Sequence, residues 1–290
     1  MNIKDAIEIT RPINCLMGGL TVIIGVLNTR TGVSLTNLIL NLILGVITYI
    51  LIAGSGMVIN DIYDIEIDKV NRPERPIPRG DISLKQAKYL FAFLVILGVL
   101  LSLIHSWVLN LDYINVIVAA FFAFIGWLYA AFAKKSGFFG NIIVSISFSI
   151  GLIYGAILNN SIIPMYIYFF FLTSFFLLLA REVVKGCEDI EGDKTEGVKT
   201  LAITLGIQQA LYFSIIFDAL AIGFFILPIF TTIINPLAYV ISMIFGLVVV
   251  IASLILSLIS NLEKESFSRI SLLLKIGALL GLLAFVFASI

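Results

Sequence analysis

The sequence predicts an all-α membrane protein of about nine transmembrane helices around a central cavity. Three observations carry that reading. Of the 290 residues 60% are hydrophobic and only 12% charged, with a mean hydropathy of +1.12. Soluble domains run to roughly half apolar and a quarter charged, and a soluble fold of this length has too little interior to hide the excess. The apolar residues fall into nine stretches, each near the ~20 residues that span a bilayer. The basic residues then crowd onto one side of those stretches.

The spans are expected at roughly 11–29, 36–59, 84–106, 113–133, 138–158, 164–183, 207–230, 235–260 and 267–290. They form one transmembrane domain over 1–290. Asn159-Asn160 and Asn235-Pro236 punctuate two of the turns. Arg11 and Asn14 make the start of the first span unusually polar. Asp5 and Glu8 near the N-terminus, with no small-residue cleavage site behind the first apolar run, argue against a secretory signal.

Charge placement checks the count. With nine spans, 17 of the 18 Lys and Arg residues lie on the N-terminal side, Arg30 being the exception. The positive-inside rule makes that side cytoplasmic in the cell membrane. The N-terminus and the segments 60–83 and 184–206 are then cytoplasmic and the C-terminus is outside. Formal net charge is zero, so no bulk field favours nucleic acid. Cys15 and Cys187 have no metal-ligand spacing and read as free thiols, and His105 reads as a helix-end residue without a ligand set.

Twelve of the 18 acidic residues sit in two connections on this same side, 61–81 and 182–196, and each connection holds a dense acidic segment. The first is Asn60-Asp61-Ile62-Tyr63-Asp64-Ile65-Glu66-Ile67-Asp68. If the second helix continues through it, Asn60, Asp61, Asp64 and Asp68 share a face. The second runs from Arg181 and Glu182 to Asp193, with Glu182, Lys185, Asp189 and Asp193 on a face. Four helices separate the segments, consistent with a parallel duplication. Like charges stacked at this spacing repel. A solvated acidic face or salt bridging would not place two registered clusters at the ends of apolar helices. Oxygen donors without imidazole or thiolate suit a hard cation, Mg²⁺ above all, held by Asn60, Asp61, Asp64, Asp68, Asp189 and Asp193. Mg²⁺ fills its remaining positions with water and phosphate.

Basic residues complete the pattern. Arg72, Arg75 and Arg79 stand in a loop stiffened by Pro73, Pro76 and Pro78, and the guanidinium fork suits phosphate oxygens. Arg11, Asn14, Tyr129, Arg181, Glu182 and Lys185 are further substrate-binding candidates. Lys134 and Lys135 are too, although a pair at a helix end also serves as an interface anchor. Tyr63, Trp127 and Tyr129 are placed to offer π-faces to a cation. A different class, a carrier of phosphorylated lipid, also uses intramembrane acids. Here the acids gather at one face, and Asp218 is the exception in mid-span.

With these residues in view, the chain resembles the UbiA-type intramembrane prenyltransferases over essentially its full length. The NDxxDxxxD motif stands at Asn60, Asp61, Asp64 and Asp68, and the DxxxD motif at Asp189 and Asp193, without departure. The run 72–80, RPERPIPRG, is similar to one archaeal branch, although chlorophyll synthases carry a related Arg-Pro-x-Pro loop. The run 181–201, REVVKGCEDIEGDKTEGVKTL, separates the branches. The resemblance implies Mg²⁺ as cofactor, Asp64, Asp68, Asp189 and Asp193 as catalytic residues, and a prenyl diphosphate donor with a lipid-phosphate acceptor. The implied reaction joins geranylgeranyl diphosphate to geranylgeranylglyceryl phosphate in archaeal ether-lipid synthesis, with an aromatic or chlorophyll-type acceptor as the alternative.

Overall fold

A computed structural model describes residues 2–133, 136–159, 162–195 and 197–290. Lys134, Lys135 and Asn160, all named above, lie outside the described residues. Among the described residues there are helices and turns and no strand. Eight helices are long and apolar enough to cross a membrane: α3 (Leu35–Tyr63), α5 (Leu84–Leu109), α6 (Ile114–Leu128), α7 (Phe138–Asn159), α8 (Met165–Glu188), α11 (Ile207–Ile226), α12 (Pro236–Leu258) and α13 (Lys264–Phe287). Five residues, Tyr129–Ala133, prolong α6 as a π-helical turn. The first expected span, 11–29, is the exception, since it begins at a sharp bend. A short α1 (Ile3–Ile9) meets α2 (Pro12–Asn28) at 59°, and the joint is Arg11, in the left-handed region at φ 50°. Pro12 cannot donate a helical hydrogen bond and fits the first position of a new helix. The protein is a multi-span membrane protein.

Several spans outrun the hydrocarbon core, and two of them carry the acidic segments past it. At about 1.5 Å per residue, the 29 residues of α3 extend about 44 Å, against a hydrocarbon core of about 30 Å. The excess lets the C-terminal turn of α3, with Asn60 and Asp61, stand at the polar edge. The 24-residue α8 does the same with Arg181 to Glu188.

Each of these helices ends the same way. Helix α3 stops at Asp64, whose φ and ψ of −88° and 2° form a joint to α4 (Ile65–Asn71). Helix α8 stops at Asp189, at −105° and 18°, before α9 (Ile190–Thr195). The expected single helix through the first acidic segment is therefore a helix, a joint and a short second helix. The i to i+4 bonding survives across the joints: the amides of Asp64 and Asp68 donate to Asn60 and Asp64, and those of Asp189 and Asp193 to Lys185 and Asp189. The two segments are structural equivalents, with Lys185 standing where the first has Asn60.

The helices close into a ring. Helix α2 packs on α3 and α7, α3 on α5 and α6, α7 on α8, α8 on α11 and α13, α11 on α12, and α13 against α12 and back against α2. With no hydrophobic drive between helices in lipid, small residues let backbones approach. Helices α2 and α7 cross at Gly25 and Gly155. A Cβ on Gly25 would lie 2.2 Å from the Leu152 carbonyl oxygen, and one on Gly155 2.2 Å from that of Val22. Farther round, Phe170, Tyr239 and Phe285 form an aromatic core, with Phe170 stacked on Phe285 at 4.0 Å. The short α10 (Leu201–Thr204) packs beside α8 and α11.

Candidate active site

A cavity of about 1310 Å³ opens at the end of the bundle that carries the two acidic joints. Its rim is polar. From one side come Asn60, Asp64, Asp68, Arg72 and Arg75, and from the opposite wall Arg181, Glu182, Lys185, Asp189 and Asp193. Arg11, Asn14 and Tyr129 complete the lining from α2 and the end of α6. Residues more than a hundred positions apart thus face one space.

The first joint is held in detail. Asp64 and Asp68 are buried, which is costly for carboxylates unless they are paired. Asn60 Nδ2 donates to Asp64 Oδ2 at 2.7 Å, and Arg75 Nη1 pairs with Asp68 Oδ2 at 2.5 Å. The second joint is more open, with Asp189 exposed and Asp193 half-buried. The loop that follows packs closely on Gly137, the residue just before α7. At φ 60° this position favours glycine, and a Cβ there would lie 1.9 Å from the Lys199 carbonyl oxygen.

Two predicted site residues lie elsewhere. Asp61 does not line the cavity. It is buried behind the rim, where Arg11 Nη2 pairs closely with its Oδ1 and Arg75 Nη1 reaches the same oxygen at 3.2 Å. Its chemistry there is to tie α2, α3 and the proline-rich loop together. Arg79 turns outward to α1, with Glu8 at 3.3 Å and Asp5 at 3.7 Å, and also pairs with Asp81. Its hydrogen bonds to Glu8 and Asp81 hold its pKa above the ordinary value. Of the three aromatic candidates only Tyr129 lines the cavity. Tyr63 is exposed, and Trp127 packs on Phe124 and Phe132.

Of the other isolated features, Cys187 borders the cavity and the rest stand apart from it. Asp218 is buried, accepting from Ser253 Oγ at 2.6 Å, and is not part of the lining. Cys15 and Cys187 are free and buried. His105, near the end of α5, is a fully buried member of a polar network, its Nε2 2.8 Å from Asn41 Oδ1.

Several lining residues were not singled out from sequence. Lys264, at the start of α13, reaches the rim from the far side of the ring, and Glu188 and Glu191 border the second joint. Lys264 shares the basic side of the topology, which was its one available signal. Among the described residues Arg72, Lys185 and Lys264 carry no ion pair.

The donor set is all oxygen: Asn60, Asp64 and Asp68 on one wall, Asp189 and Asp193 on the other. Among the described residues no three acidic, cysteine or histidine side chains converge into a ready cage. That spacing fits Mg²⁺, which takes one or two carboxylates and leaves its remaining positions to water and phosphate.

The comparison with known families agrees with this geometry. Residues 19–279 match the UbiA prenyltransferase family. The chain belongs to that family. Among its UbiA relatives, the digeranylgeranylglyceryl phosphate synthase of Saccharolobus solfataricus is 37% identical, the alignment covering 100% of this chain and 98% of that protein. The protein of the same name from Thermococcus kodakarensis is 35% identical over 100% and 99%. A solved structure of a digeranylgeranylglyceryl phosphate synthase superposes with a TM-score of 0.82 at 33% identity, covering 99% of this chain and 98% of the other. The fold is shared more distantly by a UbiA homologue from Archaeoglobus fulgidus solved with dimethylallyl diphosphate and Mg²⁺, at TM-score 0.68 and 18% identity over 97% and 99%.

Proposed function

We propose that this protein transfers a geranylgeranyl group from geranylgeranyl diphosphate to the free hydroxyl of geranylgeranylglyceryl phosphate and releases diphosphate. The observation that carries the reading is the cavity itself. Two carboxylate joints face each other across a basic rim, above walls of α3, α6 and α7 residues such as Ile52, Ala53, Phe122, Ile143 and Val144. Full-length identity of 32–37% to enzymes named for this synthesis supports the choice of acceptor.

Asn60, Asp64, Asp68, Asp189 and Asp193 would hold Mg²⁺, which as a Lewis acid stabilises the charge developing on a leaving diphosphate. The chain's own groups do the rest. Arg72, Arg75 and Lys185 bind phosphate oxygens and offset the negative charge that grows as the carbon–oxygen bond breaks. The apolar walls take the prenyl chain and keep water from an allylic cation. Tyr129 turns its ring into the same space, where a π-face favours a cation. Arg11 and Asp61 brace the rim. Because the acceptor carries its own phosphate, the site must manage two anionic heads. Lys264 and Arg181, with Lys134 and Lys135, serve the second.

We further infer that residues 1–290 act as one domain in the cell membrane, with the cavity mouth cytoplasmic and the C-terminus outside. The crowding of basic residues on one side supports this orientation. Both native cysteines are buried, so a cysteine replacing Lys199 gives a clean probe. It should resist an impermeant maleimide in intact cells and react after permeabilisation. Labelling from outside would reverse the orientation.

The reaction is tested by mass spectrometry of products from geranylgeranyl diphosphate offered with several acceptors. The doubly prenylated glyceryl phosphate is the expected product. Efficient prenylation of 4-hydroxybenzoate, with none of the glyceryl phosphate, would overturn the acceptor while leaving prenyl transfer standing.

A further inference from the structure

Away from the rim, the cavity runs down between α3, α6 and α7 and ends. On α2 and α8 the apolar lining goes no deeper than Met17 and Leu178, but on the other three helices it continues to Thr48, Val118 and Tyr154. Thr48 lies twelve residues from Asn60, so the floor is about 18 Å below the rim at the α-helical rise. That is slightly more than half of the ~30 Å hydrocarbon core, the depth that one lipid chain fills. A four-isoprene chain has a comparable main chain of sixteen carbons.

The floor is unusual in being braced by polar groups. Tyr154 is buried, and its hydroxyl donates to Asn115 Oδ1 at 2.8 Å. Asn115 in turn donates to the Ser102 carbonyl at 2.9 Å. One turn of α7 farther on, Asn41 Nδ2 donates to the Leu158 carbonyl at 2.9 Å. The network joins α3, α5, α6 and α7 beneath the cavity. Swinging the Tyr154 ring aside would break the bond between its hydroxyl and Asn115 Oδ1 in an apolar setting, which is costly.

We propose that Tyr154, clamped by Asn115, sets the length of the prenyl donor: it closes the groove at a depth that accepts four isoprene units and rejects a fifth. The inference rests on the prenyl-transfer reading and adds the residue that selects the donor. A fifth unit needs about 5 Å more depth, roughly one helical turn, and meets a ring that cannot yield cheaply. Ala119, one position from Val118 and also in the lining, lies just above the floor. A large side chain there shortens the groove while every residue of the network is kept.

The test compares kcat/KM for farnesyl, geranylgeranyl and geranylfarnesyl diphosphates with one acceptor, using the full chain in lipid nanodiscs. Tyr154→Ala should raise the geranylfarnesyl-to-geranylgeranyl ratio by about tenfold or more, the scale of pocket-size discrimination. Ala119→Phe should raise the farnesyl-to-geranylgeranyl ratio by about tenfold or more on the same grounds. Should Tyr154→Ala fail to fold, Ala119→Phe carries the test alone. Folded variants that keep the wild-type ratios would overturn the assignment of the floor and leave prenyl transfer intact. A wild-type protein inert with all three donors would instead defeat the transfer reading, and this inference with it.

Discussion

Replacing Asp64 or Asp193 with alanine is expected to lower kcat by about 100-fold or more, the usual cost of losing one preorganised charge-stabilising group. Thermal unfolding in detergent should stay close to wild type. The reason lies in what each carboxylate holds. Asp64 sits at the joint between α3 and α4 with Asn60 on one oxygen, and Asp193 lies one turn beyond the matching joint on the opposite wall. Both line the cavity, where a bound substrate and its metal would meet them. If they grip Mg²⁺ between them and a bound diphosphate, their loss should also raise the Mg²⁺ concentration needed for half-maximal rate. Excess EDTA should abolish turnover, and Mg²⁺ should restore it. Full activity in EDTA, or alanine variants with wild-type kcat, would remove the metal from the proposal. Asp68→Ala should be mixed, because it also strips Arg75 of a partner at 2.5 Å.

The spans were legible because hydropathy in a membrane protein is a direct record of the solvent around each helix. Twenty apolar residues in a row leave few alternatives, and the basic residues checked the count independently. The joints were less legible. Helical spacing puts Asp61, Asp64 and Asp68 on one face, and that register assumes an unbroken helix. Because the chain turns at Asp64, and Arg11 and Arg75 approach from α2 and the loop, Asp61 is drawn behind the rim. Arg79 shows the same limit. Its loop reads as a phosphate cradle, but Asp5 and Glu8 on α1, some seventy residues earlier, offer it nearer partners. Lys264 was hidden for the opposite reason: nothing adjacent in sequence marks it, and only closure of the ring brings α13 to the cavity. The break at Arg11 was foreshadowed only by polar residues at the start of an otherwise apolar span.

Asp61 therefore offers the sharpest contrast within a single motif. Its Oδ1 accepts from both Arg11 and Arg75, and its side chain is 3% exposed. Removing one partner from a buried ion pair typically costs about 3–5 kcal/mol, because a desolvated charge is left behind. Asp61→Ala takes from Arg11 its ion pair, leaves Arg75 with Asp68 alone, and loosens the contact among α2, α3 and the arginine loop. Its unfolding temperature in detergent should fall clearly below that of Asp64→Ala. Activity should fall as well, since Arg75 then loses its aim at Asp68 and the phosphate site, but added Mg²⁺ should not restore it. Asp64→Asn should behave in the reverse way, stable and partly recovered at high Mg²⁺, because an amide still offers one oxygen. Thermal unfolding and a Mg²⁺ titration of the rate separate the two cases. If Asp61→Ala were as stable as wild type and recovered with Mg²⁺, Asp61 would belong with the metal ligands. The arginine pairs would then have to yield when diphosphate binds.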